Sequence, residues 1–140
     1  MATITPPYAD PGRAAFEVLD TYTQNFLLAG PHPELAPAFS FPIAFSKTLA
    51  QFTVVGLVAG ELVPATYNAD PALAVKPIGI MAHAAARGAS GPAVNGQVFY
   101  SGCFNVAALV WDATFTTTAL KLAAFRGSPT PTNIIVASRG

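Results

Sequence analysis

The chain has 140 residues, of which 52% are hydrophobic and 10% charged, with seven Lys plus Arg against seven Asp plus Glu. That length favours one compact domain with an extended arm, and typical domains carry about 25% charged residues, so the surface is unusually short of charge and reads as one that faces other protein. Zero net charge, with the cations scattered at Arg13, Lys47, Lys76, Arg87, Lys121, Arg126 and Arg139, excludes the basic stripe of a nucleic-acid binder and removes the long-range repulsion that opposes dense packing of copies.

Residues 1–15 hold Pro6, Pro7, Pro11 and Gly12. The prolines fix φ and remove donors, so extended chain is expected there, with a short helix capped at Asp10-Pro11 as the second choice. The start, MATITPPYADPGR, lacks the apolar core of a signal peptide, so cytoplasmic synthesis is expected. Residues 16–28 (FEVLDTYTQNFLL) alternate in part through Phe16, Val18 and Tyr22, which fits a strand; Phe16, Leu19, Thr23 and Phe26 fit a helix nearly as well. Residues 29–42 contain Pro31, Pro33, Pro37 and Pro42. That density argues against helix and sheet ladder alike and predicts an ordered surface loop anchored by Phe39 and Phe41. The first 42 residues thus read as arm and loop, and residues 43–140 as the body.

From Ile43 the pattern changes to short strand-like runs: Ile43–Phe45, Phe52–Val58, Leu62–Val63, Ile78–His83, Gln97–Tyr100 and Ile134–Ala137. Turn residues at Ala59-Gly60, Asn68–Pro71, Arg87-Gly88, Ser90–Pro92 and Asn95-Gly96 separate them. Asn95-Gly96 is the best two-residue turn signal, and residues 88–96 read as a loop. The most apolar window, Leu49–Gly60, is far short of the ~20 residues that span a bilayer, so no membrane span is expected. Two short helices are predicted. Asn105 can cap Val106–Trp111, with Val106, Leu109 and Val110 on one face, and a threonine among Thr116–Thr118 can cap Ala119–Phe125, with Leu120, Ala123 and Ala124 inward. Arg126-Gly127 would end the second helix with a cation and a glycine. The fold class is therefore α+β, mostly β: a small sheet or barrel-like body, two short helices and a proline-rich N-terminal arm.

No catalytic constellation emerges. His32 lies between prolines, His83 on an apolar run, and Cys103 among apolar residues. Their spacing fits no zinc or calcium site, and neither metal nor cofactor is expected. Ser101 and Cys103 flank Gly102 but lack the G-x-S-x-G pattern, and Gly88, Gly91 and Gly96 lack the setting of a phosphate loop. Asp70 and Asp112 have local turn explanations. An enzyme is not expected; a small enzyme using His83 and Ser101 stands as the remote alternative.

Six pieces in order carry a family resemblance: Gly60-Glu61-Leu62-Val63-Pro64-Ala65, Ala74–Met81 (AVKPIGIM), Val98–Asn105 (VFYSGCFN), Leu109-Val110-Trp111, Ala124-Phe125-Arg126-Gly127 and Ile134-Ile135-Val136. Over roughly residues 43–140 the chain resembles the head decoration proteins of tailed phages, the family of the phage lambda capsid-stabilising protein. The resemblance implies a non-enzymatic homotrimer on the outer surface of the expanded head. It would bind the major capsid protein at three-fold and quasi-three-fold sites and resist internal DNA pressure. It also implies an N-terminal arm that adds a strand to the capsid protein, for which Tyr8, Phe16, Val18, Tyr22 and Phe26 offer anchors. Gly79, Phe99, Gly102, Phe104, Trp111, Phe125 and Gly127 are the matching structural positions. Another small β-rich virion protein, of tail, fibre or head completion, is the alternative within the structural class.

Overall fold

The structure, a computed structural model, describes residues 27–35, 38–128 and 132–139. Among these the chain forms strands β1 (Leu28–Gly30), β2 (Phe39–Pro42), β3 (Lys47–Leu49), β4 (Val54–Val58), β5 (Glu61–Pro64), β6 (Pro77–Met81), β7 (Ala85–Arg87), β8 (Asn95–Phe99), β9 (Ser101–Asn105) and β10 (Asn133–Ala137). One α-helix, α1 (Thr118–Leu122), and a 3-10 turn at Val106–Ala108 complete them. The architecture is α+β and mostly β.

The long apolar runs make the innermost strands. The five-stranded sheet has the order β2-β8-β6-β4-β5, antiparallel throughout. Strand β6, and β4 over Val54–Gly56, are buried on both faces, which is why they read as continuous apolar runs, whereas β8 alternates between buried and exposed residues. On one face Val54 and Ile80 meet Phe104, Leu109, Phe115, Phe125, Ile134 and Val136. This core is closed by the sheet β1-β9-β10, in which β10 runs parallel to β9, and by α1. On the other face Val55, Ile78 and Met81 meet Ile43, Leu49, Leu62 and Val98, beside the β3-β7 ribbon. Phe104 is the largest fully buried side chain, and burying a ring of that size contributes about 1.5–3 kcal/mol.

The five-stranded sheet curls. Past its edge strand β2, Ile43 bridges Leu62 on the opposite edge strand β5, and Ala44 N–H donates to Leu62 O at 3.1 Å. One bridge does not make a ladder, so the sheets stay open and no closed barrel forms among the described residues.

Several expectations need correction. Asn95-Gly96 is not a turn: it starts β8, where Gly96 pairs with Phe41 and Asn95 with Pro42. The turn signal is local, whereas a Cβ on Gly96 would come within 2.9 Å of Met81 Cε and 3.0 Å of Leu62 Cδ1. Gly96 thus lies directly against the ends of two core side chains, and pairing with β2 sets its extended conformation. The proline-dense segment carries β1 and β2, because Pro42 lies on an edge strand, where a missing donor costs little. Asn105 does cap a helical turn, accepting from Ala107 N at 3.3 Å, but the turn is 3-10 and ends at Ala108. Leu109 is already extended, because Val110 is drawn into backbone bonds with Phe52 and Val54, which leaves its side chain exposed. The run from Ile43 to Phe45 is a bridge followed by a turn, and the run from Ile78 stops as a strand at Met81. The second helix starts as expected, with Thr117 Oγ1 accepting from Leu120 N, but is one turn shorter, and Ala123 is exposed. Gly127 does not end it: the C-cap is Ala123, and Gly127, with φ +70°, closes the run of turns that follows.

Gly79 marks the tightest strand contact. A Cβ there would lie 2.1 Å from Val98 Cγ1 and 2.6 Å from Phe99 O. The neighbour that must yield includes backbone of β8, so Gly79→Ala is expected to lower unfolding free energy by about 1–3 kcal/mol in urea denaturation. A loss below about 0.5 kcal/mol, the level of an ordinary surface change, would show that the β6–β8 contact has slack.

Candidate functional site

The anchor residues expected on the arm, Tyr8, Phe16, Val18, Tyr22 and Phe26, lie outside the described residues. The body residues singled out by sequence fall in its interior and in the turns after α1. Gly79 is in β6, Gly102 and Phe104 in β9, and Phe125 beyond α1, all buried; Phe99 and Trp111 are half-buried against the first core; Gly127 is exposed in the turns after α1. Trp111 Nε1–H donates to Val106 O at 3.0 Å and its ring meets Phe115 edge-on at 5.1 Å. Gly102 has φ +152°, and a Cβ there would sit 2.8 Å from the Phe104 ring.

The residues weighed for catalysis are not assembled into a site. Ser101 Oγ–H, buried, donates to Glu34 O at 2.8 Å, which ties the segment after β1 to β9. His83 is exposed on the bend after β6. Asp70 Oδ1 accepts from Ala72 N at 3.0 Å, and Asp112 Oδ2 accepts from Thr114 N and Oγ1, so both close local turns. Cys103 is buried with its sulfur against Gly30. Among the described residues no group of three His, Cys, Asp or Glu could hold a metal ion, and no helix is long and apolar enough to cross a membrane.

What the body offers outward is apolar. Phe39, Phe45, Val58, Tyr67, Leu73, Val110 and Ile135 are all exposed. Two of them pack against a neighbouring side chain. Phe39 stacks on Tyr100 with centroids 4.1 Å apart and planes within 12°. Phe45, half exposed, lies under the Arg87 guanidinium, whose Cζ is 3.6 Å from the ring centroid. Arg87 is itself mostly buried: its Nη1 donates to Ile43 O at 2.9 Å and to Glu61 Oε2 at 3.1 Å. One cation thus ties β7, β5 and the bridge residue together and fixes an aromatic ring toward solvent. Sequence reasoning missed this cluster, because Phe45, Glu61 and Arg87 meet only through the curl of the sheet. A concavity of about 310 Å³ lies elsewhere, between the Thr66–Pro77 segment and α1, lined by Tyr67, Lys76, Phe115, Leu120 and Arg126.

Exposed aromatic rings on a charge-poor surface are a composition that protein–protein interfaces use. The family model of the bacteriophage lambda head decoration protein D matches residues 36–130. That match covers more than half of the chain, and the protein belongs to this family of phage head decoration proteins. No protein of curated function matches the chain.

Arg87→Met keeps most of the packing and removes the donors. It is expected to cost about 1–2 kcal/mol in denaturant unfolding, because Ile43 O loses its partner in a part-buried place while Glu61 can still reach water. An unchanged midpoint would mean that Arg87 is no more than a surface charge.

Proposed function

We propose that this protein cements a phage head as a homotrimer, seated on the outer surface at three-fold and quasi-three-fold points and bound to the major capsid protein. There it stabilises the expanded shell against internal DNA pressure and catalyses no reaction. The family match over residues 36–130 carries this reading. The physical character of the body supports it. Its charge is low, and its exposed apolar residues would be covered by neighbours in an assembly. In a closed three-fold ring each copy uses two different patches, one for each neighbour.

The N-terminal segment is proposed to reach the capsid protein as an added strand, its backbone groups pairing with a sheet edge and Tyr8, Phe16, Val18, Tyr22 and Phe26 as side-chain anchors. Three such arms on one trimer bind together, so weak single contacts give firm attachment.

Purified protein added to expanded heads of its own phage is expected to bind at a copy number close to that of the major capsid protein and to raise the heads' resistance to heat and chelators. No binding to those heads would refute the reading. Removing residues 1–25 is expected to leave a cooperatively folding body whose affinity for heads is about 100-fold lower. An unchanged affinity would show that the arm takes no part in attachment.

A further inference from the structure

The cleft of about 310 Å³ between the Thr66–Pro77 segment and α1 carries charge that the chain leaves unanswered. Tyr67, Phe115 and Leu120 are among its walls, and its cations are Lys76 and Arg126, both exposed. No acid is among the lining residues. Asp70 stands in the same loop, but its Oδ1 accepts from Ala72 N at 3.0 Å and closes the turn there. Among the described residues neither Lys76 nor Arg126 pairs with a carboxylate. A ligand-sized cleft with apolar walls and two cations suits an acidic side chain presented by protein.

The body has one carboxylate to spare. Glu61 pairs with Arg87, and Asp70 and Asp112 bond within their own turns. Glu34 is exposed, and among the described residues its carboxylate has no hydrogen bond or ion pair. Its backbone is fixed nonetheless. Glu34 O accepts from the buried Ser101 Oγ–H at 2.8 Å, and Leu35 Cδ1 lies 3.3 Å from where a Cβ on Gly102 would be. The carboxylate is thus carried by ordered chain, which lowers the entropy cost of its capture. Glu34 makes no ion pair with Lys76 or Arg126 of its own chain, so the matching cleft is the one on another copy.

We propose that Glu34 of one copy enters the cleft between Tyr67 and Arg126 of the next, its carboxylate held by Arg126 and Lys76. This rests on the homotrimer put forward above and says where its copies join. The acid and the cleft are different patches, so the contact is head-to-tail, and three such joints close a ring. Arg126 supplies the planar fork that a carboxylate fits with two bonds, and Lys76 adds a second positive charge.

Sedimentation of the full-length protein, without any capsid, tests the joint. The natural chain is expected to associate with rising concentration to three copies. Arg126→Glu and Glu34→Lys are each expected to weaken that association at least about tenfold, because each sets like charges face to face. Both changes in one chain restore opposite charges across the joint and are expected to regain most of the association, which a misfolded variant would not do. A chain monomeric up to about 1 mM, association indifferent to both single changes, or a loss not regained in the double variant would overturn the joint. Binding to expanded heads is measured separately. Heads bound and stabilised by a chain that fails the sedimentation test leave the cementing reading standing while the joint falls. Heads left unbound by a chain that passes it refute that reading and keep the joint.

Discussion

Strand β6 is buried along its whole length, and the rest of the body is arranged to cover its two faces. Ile80 looks into one core while Ile78 and Met81 look into the other. A strand covered on both sides needs two layers over it. One is supplied by β9, β10 and α1, the other by the curl of its own sheet with the β3-β7 ribbon alongside. The closeness of β6 to β8 at Gly79 follows from the same constraint, since only a residue without a side chain lets the Val98 methyl and the Phe99 carbonyl approach so near.

The second core is held at its rim by electrostatics as well as by packing. Arg87 satisfies the Ile43 carbonyl, which lies where the curled sheet comes closest to closing, and pairs with Glu61 on the edge strand β5. It also holds Phe45 in one orientation, outward. A ring fixed before binding loses little entropy when a partner covers it. The same economy applies to Phe39 on Tyr100. A body with few charges and two exposed aromatic rings packed on neighbours is suited to contact with other protein, which agrees with membership of the head decoration family.

Legibility in the sequence followed the range of the forces involved. Val54–Val58, Pro77–Met81 and Asn133–Ala137 were readable because burial makes long apolar or alternating runs. The threonine cap was readable because capping is local chemistry, whereas the expected stop at Gly127 was not where the helix ends, since α1 closes at Leu122. The middle of the first core was less so. Ser101–Asn105, buried throughout, is composed of Ser, Gly, Cys, Phe and Asn, and nothing in that composition announces a central strand. It is one because β1 and β10, distant in sequence, pair on either side of it. Asn95-Gly96 misled for the opposite reason: its local turn preference is strong, and ladder pairing with β2 outweighs it.

By itself the sequence determined a mostly β domain of low charge, its apolar cores, its helix cap, and the order of pieces that relates it to phage head decoration proteins, since composition, periodicity and capping act over a few residues. Tertiary structure alone decided that proline-rich chain before residue 43 enters two sheets, that the larger sheet curls without closing among the described residues, that Arg87, Glu61 and Phe45 meet, and that β10 runs parallel to β9. Those outcomes depend on which strands pair across long sequence separations, and pairing is settled by the joint burial of two faces, which no single stretch of the chain contains.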